Sequence, residues 1–281
     1  MIRWYADNSE LHGIWGAAIQ DILLYGGLCV SEESRERLCG IMRTVKSGYD
    51  ENADFPLKWN FLGLRDHYRN LGKEQLYERL LQASKRWRMR IFREIASVDF
   101  TIIMSIIHGY GRDRNVQRRT RRRLTRHVFS NALMRLGIHI REIGSPYTEL
   151  VLDWPPGGDK TLFDSEYRCA YLNGRDSQQQ EFYCGPLKNI RFSDSLFYAS
   201  TNECALLQLC DLIVGAVKDL VDYSLERISG TYGRNRVREI KHRFRGAPDR
   251  VIGKGISIAP AQGDLYDRLK STVEELYDAP S

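Results

Sequence analysis

Apolar and polar positions alternate or cluster along this chain in ways that mark most of its elements. Ile2 to Ala6 reads as a short strand ended by Asp7-Asn8-Ser9, residues whose side chains bond the local backbone and favour turns. Gly13 to Ala18 fits the loop of a hairpin, and Asp21 to Val30 its second strand, where Gly26-Gly27 permits a bulge or a close backbone approach. Ser31, followed by Glu32 and Glu33, starts a helix that runs to about Ser47. Leu57 to Phe61 is a brief strand or extended segment carrying Lys58. Leu76, Leu80, Leu81, Trp87, Ile91 and Ile95 recur at helical spacing and predict one long amphipathic helix over Lys73 to Ala96.

The β-branched run Phe100 to Ile107 predicts a strand buried on both faces. A helix over Arg112 to Leu136 follows, then strand candidates at Ile138 to Ile143 and Glu149 to Trp154, the second stopped by Pro155-Pro156-Gly157-Gly158. Leu162 to Asn173 reads as a helix, Gly174 to Gly185 as a loop, and Lys188 to Phe192 as a strand running into Asp194-Ser195. From about Glu203 to Leu225 the pattern is helical and almost wholly apolar, the signature of a helix buried on most sides. Gly230 to Gly255 has no clear period, and Gly263 to Tyr277 closes the chain with a short acidic helix. Strands interleaved with helices make the fold class α/β, divided most simply into a domain over residues 1–228 and a basic C-terminal extension over 229–281.

Within the buried helix, Asp211 and Gln208 interrupt ALLQLCDLIVG three positions apart and so share a face. A carboxylate in such surroundings is costly unless it is paired, hydrogen-bonded or bound to a cation. Asp7, Asp153 and Asp194 each fall at the end of a predicted strand, where active sites of open α/β sheets gather. Carboxylates brought together repel, and a divalent cation is the general remedy. Taken singly each has a plainer reading: Asp7 as a turn residue, Asp153 as a strand-end cap, Asp211 as the wet edge of a core helix. Lys58 either snorkels over the Trp59 indole or contacts phosphate.

Charge adds a substrate class. The formal charge is +6, with eight arginines and one acid between Arg112 and Arg126 and a second dense basic stretch from Arg234 to Arg250. Arginine suits bidentate phosphate contact, so Arg118, Arg119, Arg121, Arg122, Arg123, Arg234 and Arg236 are candidates for gripping a nucleic acid backbone. Other chemistries lack their motifs. The six cysteines form no C-x-x-C pair, the six histidines no H-x-x-x-H, and no G-x-S-x-G, P-loop or G-x-G-x-x-G is present. His12, close after Asp7, is the one histidine placed to matter. The longest apolar runs are too short to span a bilayer and no charged leader opens the chain, so a cytoplasmic protein with reduced thiols and no membrane partner is expected.

Tyr5-Ala6-Asp7-Asn8-Ser9, Leu24-Tyr25-Gly26-Gly27, Leu57-Lys58-Trp59, Val151-Leu152-Asp153, Phe192-Ser193-Asp194-Ser195 and Leu207 to Gly215, in that order, resemble the DUF3800 family, most specifically in the last of these motifs. The resemblance covers about residues 3 to 220. It implies a ribonuclease H-like mixed β-sheet flanked by helices and a metal-dependent nuclease. Asp7, Asp153 and Asp211 would hold Mg2+ or Mn2+, with Asp194 as a fourth ligand or as a group that orients one. Lys58 would neutralise charge on the scissile phosphate, and Gln208, Ser9 and Glu10 would support the ligands. Asn8, Glu10 and Pro56 depart from the family's Glu, Gly and Glu; the departures either weaken one metal position or are offset by Glu10. The resemblance also implies an antiphage or toxin-like role; separately, the C-terminal extension is a candidate for docking a partner protein, or a second copy in a homo-oligomer. The alternative is a nucleic-acid-binding or scaffold subunit with a decayed site.

Overall fold

A computed structural model describes residues 1–11, 21–108, 114–155 and 158–278, with the backbone alone for 108 and 114–120. The predicted hairpin loop at 13–18, His12, Arg112 and the side chains of Arg118 and Arg119 lie outside the described residues.

Six strands form one mixed sheet in the order β5-β4-β1-β2-β3-β6. Strands β1 (Ile2–Leu11), β2 (Ile22–Ser31) and β3 (Thr101–His108) make an antiparallel meander, and β4 (Thr148–Asp153) runs parallel to β1. The edges are β5 (Phe197–Ala199), parallel to β4, and β6 (Ile256–Ala259), parallel to β3. Helices cover both faces, so the central strands are apolar on both sides. Trp4, Ala6, Leu150 and Leu152 point to a core under α5 (Arg114–Ile143) and α6 (Thr161–Asn173). Tyr5, Leu24, Leu28 and Met104 point to a larger core under α1 (Glu32–Ser47), α2 (Arg65–Asn70), α3 (Glu74–Gln82), α4 (Ser84–Ile95) and α7 (Ala205–Ser224). Among the described residues no helix is long and apolar enough to cross a membrane. All six cysteines are free thiols.

Several expectations are corrected. β1 does not end at Ala6: Asp7, Asn8 and Ser9 continue it, paired with Gly26, Tyr25 and Leu24. Continuous ladder bonding to β2 outweighs the local turn preference of those side chains. Gly26-Gly27 is a close approach rather than a bulge, since a Cβ at Gly27 would lie 1.8 Å from the Tyr5 carbonyl oxygen and 2.7 Å from Cys210 Sγ. The single helix predicted over 73–96 is two helices, because the Trp87 indole takes the Leu80 carbonyl (3.0 Å) that a continuous helix would have offered to residue 84. Ile138 to Ile143 is no strand but the last turns of α5, with Leu136 and Ile140 one turn apart on its buried face. Leu57 to Phe61 pairs with no strand and runs into a short 3-10 turn, Phe61–Leu64. Lys188 to Phe192 is likewise a 3-10 turn (Leu187–Ile190) followed by left-handed Arg191, and only Phe192 bridges to Thr148.

The described residues after 228 complete the sheet rather than trail from it. They supply β6, then α9 (Asp264–Asp278), while α8 (Tyr232–Glu239) packs on α7. The basic stretch there is engaged inside the molecule. Arg234 pairs with Glu275 at 2.9 Å and lies over the Tyr223 ring; Arg236 is buried, pairs with Glu239 at 3.3 Å and lies over Tyr232. Arg243 meets Asp99, and Arg245 meets Glu142. The expected nucleic-acid contacts of Arg234 and Arg236 are therefore corrected: Arg234 ties α8 to Tyr223 of α7 and to Glu275 of α9, and Arg236 is buried against its own helix.

Candidate functional site

Strand parity assembles the site. Alternate residues of a strand face opposite sides, and since Tyr5 faces α7, Asp7 does too. On β4, Leu152 faces α6, so Asp153 also faces α7. The parallel register of β1 and β4 ends at Ala6↔Leu152, and one further step sets Asp7 beside Asp153 on strands about 4.8 Å apart. Asp211 arrives from the helix above. Cys210 Sγ sits 3.3 Å and 3.4 Å from the carbonyl oxygens of Gly26 and Tyr5, in the space left by Gly27, and this fixes the height and rotation of α7.

Lys58 is delivered by the segment after Pro56, which α7 holds by side-chain acceptors. Trp59 N donates to Asp211 Oδ2 at 2.5 Å, and Leu57 N donates to Gln208 Oε1 at 3.1 Å. The Trp59 indole donates to Asp219 at 3.2 Å, while its carbonyl accepts from Arg88 at 2.6 Å. Gln208 also donates to the Asn202 carbonyl at 3.0 Å, and the neighbouring Thr201 N donates to Asp153 Oδ1 at 2.8 Å. Gln208 is thus a support, as expected, but of the two backbone segments beside Lys58 and Asp153 rather than of Asp211 itself. Gln208→Leu leaves the Leu57 amide and the Asn202 carbonyl unpaired, each a cost of about 1–3 kcal/mol. The expected result is a lower urea midpoint with an unchanged m-value; an unchanged midpoint would show that the two segments hold without it.

The electrostatics follow from burial. Asp7 is 6% exposed, and burial holds its carboxyl well above the ordinary carboxylate range, with the charges of Asp211 and Asp153 pushing the same way. The Asn8 amide, 2.7 Å from Asp7 Oδ1, and Lys58 pull in the opposite direction. Asp211 is pushed up to about 6, again by burial first and then by Asp153, against the Trp59 amide, Lys58 and Arg88. Three acids and one lysine therefore sense one another at one end of one sheet face.

Each of the three acids has one oxygen fixed by a backbone N–H, which orients a carboxylate toward a cation in the way outer partners of metal ligands do. The donor chemistry suits a hard cation that keeps several waters. As they stand, no three His, Cys, Asp or Glu side chains among the described residues form a group that could hold an ion. The residues fit a cation bound through one or two carboxylates and water, not a closed protein cage.

Other expected members lie elsewhere. Asp194 is exposed near Phe192, beside Thr148 at the start of β4, and accepts from Ser195 Oγ. Asp153 is five residues beyond Thr148 on that strand, about 16 Å from it, and Asp194 is not among the groups that chiefly shift Asp7 or Asp211, so it stands apart from the cluster. Glu10 falls on the opposite face of β1, where Arg121 engages it through two nitrogens, and it cannot stand in for a missing acid beside Asp7. Asn8 shares that face. Ser9 is on the Asp7 face, two residues on. Arg121, Arg122 and Arg123 are exposed on α5; Arg122 lies 3.6 Å from Asp159. A cleft of about 300 Å³ joins the two regions, lined by Asp7, Asp153, Tyr25, Glu10, Arg121 and Pro155.

Sequence reasoning missed Trp59, Arg88, Asp219 and Thr201. Asp219 carried a signal, since it lies two helical turns beyond Asp211 on the same face of α7. Thr201 carried none, because its role depends on β5 reaching Asp153. No family model, curated protein or solved structure matches the chain.

Proposed function

We propose that this chain is a divalent-metal-dependent nuclease of ribonuclease H-like fold, related to the DUF3800 family, that hydrolyses phosphodiester bonds of DNA or RNA. The observation that carries this reading is the meeting of Asp7, Asp153, Asp211 and Lys58 at one end of the sheet, with burial and mutual repulsion raising the carboxyls of Asp7 and Asp211. A mixed sheet flanked by helices, with acids on its first and fourth strands and on a helix packed against it, supports the fold and the relationship.

One or two of the Asp7, Asp153 and Asp211 carboxylates, with water, would hold Mg2+ or Mn2+. Such a cation would supply positive charge to the phosphate and lower the pKa of a bound water. Lys58, anchored through Trp59, offers its ammonium to charge developing on the phosphate. Arg121, Arg122 and Arg123 give the phosphate chain a basic approach to the cleft. The test is incubation of labelled DNA and RNA with the purified chain in Mg2+, Mn2+ or EDTA. Cleavage in either metal that vanishes with EDTA and in Asp211→Asn supports the reading. Cleavage indifferent to both refutes it.

A second reading, a nucleic-acid-binding or scaffold subunit with a weakened site, is favoured by one observation. Asn8 and Pro56 stand where the family has acids, and Glu10 is committed to Arg121. It expects salt-sensitive binding without cleavage in any metal.

A further inference from the structure

Trp154 directly follows Asp153, the last residue of β4, and is 48% exposed. The other tryptophans among the described residues are placed differently. Trp4 and Trp87 are buried, and Trp59 is clamped by α7. Trp154 nevertheless has a fixed orientation. Tyr198 on β5 meets it edge to face at 6.0 Å, and Lys160 lies over both rings, 4.4 Å from the Trp154 centroid and 4.9 Å from that of Tyr198. Tyr198 is itself tied by its hydroxyl to Asp164 at 2.7 Å. An apolar surface held rigid in water, bearing a cation and adjoining an acidic cleft, is the composition of a surface on which nucleobases stack.

We infer that Trp154, with Tyr198 and Lys160, is a stacking platform for a base of single-stranded nucleic acid, and that it selects unpaired strands for the Asp7–Asp153–Asp211 site. This rests on the nuclease reading for its consequence but not for its chemistry. A flat indole needs the face of a base. In a duplex those faces are stacked on one another and only edges and phosphates are presented; in a single strand they are free. Lys160 adds a positive charge for the neighbouring phosphate. Sequence tolerance is expected, because every base has a π-face.

The experiment is a binding titration in EDTA, where no cleavage can intervene, with labelled single-stranded DNA, single-stranded RNA and duplex DNA of equal length. Wild-type chain is expected to bind at least one single strand about tenfold or more tightly than duplex. Trp154→Ala is expected to weaken single-strand binding by about 5- to 100-fold and to leave duplex binding unchanged, while Trp154→Phe keeps most of the affinity. The DNA and RNA arms identify which strand is preferred. A second measurement needs no variant: photocrosslinking of a halouracil-bearing single strand to the wild-type chain, mapped by mass spectrometry, is expected to label Trp154 or Tyr198. Equal affinity for duplex, unchanged binding by Trp154→Ala or crosslinks confined to other surfaces would overturn the inference. Binding through Trp154 without metal-dependent cleavage would refute the nuclease reading and leave the platform standing. Cleavage with binding indifferent to Trp154 would do the reverse.

Discussion

Asp211→Asn is expected to abolish metal-dependent cleavage while making the metal-free protein more stable at neutral pH. The two effects have one cause. In the native chain the Asp211 carboxyl is pushed up to about 6, from an ordinary value of 3.8. Between about pH 4 and pH 6 the native state therefore binds more protons than the unfolded state, so stability falls as pH rises through that window and stays lower above it. The loss amounts to roughly 3 kcal/mol for this one group. Asparagine keeps an oxygen for the Trp59 amide and carries no charge, so the variant should lack this component of the pH dependence. Asp7→Asn should act in the same direction, because burial and two neighbouring carboxylates raise that carboxyl as well. Removing outer partners of metal ligands costs about 10–100-fold in activity or affinity, and removing a ligand is expected to cost more. Thermal melts from pH 4 to 8, with and without Mn2+, separate these contributions: Mn2+ should stabilise the wild type above pH 6 and leave Asp211→Asn unmoved. A variant less stable than wild type at pH 7 without metal would contradict this account of the site.

Much of this arrangement was legible in the order of residues, and the reasons differ from element to element. The helix bearing Asp211 was readable because a single carboxylate among Leu206, Leu209, Leu212 and Ile213 needs a local explanation, and burial supplies one within a turn of the helix. Asp153 was readable because Pro155 stops the strand just after it. Asp7 stands out in the sequence although its strand reads too short there: turn preference is a local property, while the ladder to Gly26 and Tyr25 is made by distant residues. Asp194 was misplaced for the same reason. Its position depends on which residues of the following segment pair with β4: Phe192 makes a single bridge to Thr148, and the ladder itself begins only at Phe197. The two basic stretches look alike in composition, yet Arg121, Arg122 and Arg123 are exposed on α5, with Arg121 lining the cleft, whereas Arg234 is half-buried and Arg236 buried against Glu275 and Glu239. Charge counts cannot separate an exposed arginine from one folded against a partner such as Glu275, 41 residues from Arg234. Strand β6 escaped notice because four residues beside a glycine-rich stretch carry little periodicity, and only β3 gives them a partner.

Gly215→Ala is expected to disable the site without altering any charged group. A Cβ at Gly215 would lie 2.2 Å from Trp59 Cγ and 2.3 Å from Trp59 Cβ, and the indole has little freedom to retreat. Its ring nitrogen is bonded to Asp219, its backbone amide to Asp211 and its carbonyl to Arg88, and Tyr232 and Phe92 pack around it. Overpacking of this kind costs about 1–3 kcal/mol, and relief requires Trp59 to move away from α7. Lys58 moves with it, and the Asp211 carboxylate loses the amide that orients it. Stability and activity should therefore fall together, and the order of effects identifies the cause. If Lys58 acts on the phosphate, the combination of Gly215→Ala with Lys58→Ala should lose little more activity than Gly215→Ala alone, because the displaced lysine no longer contributes. Equal and independent losses from the two substitutions would instead mean that α7 positions Asp211 alone, with Lys58 acting apart from the Trp59 anchor.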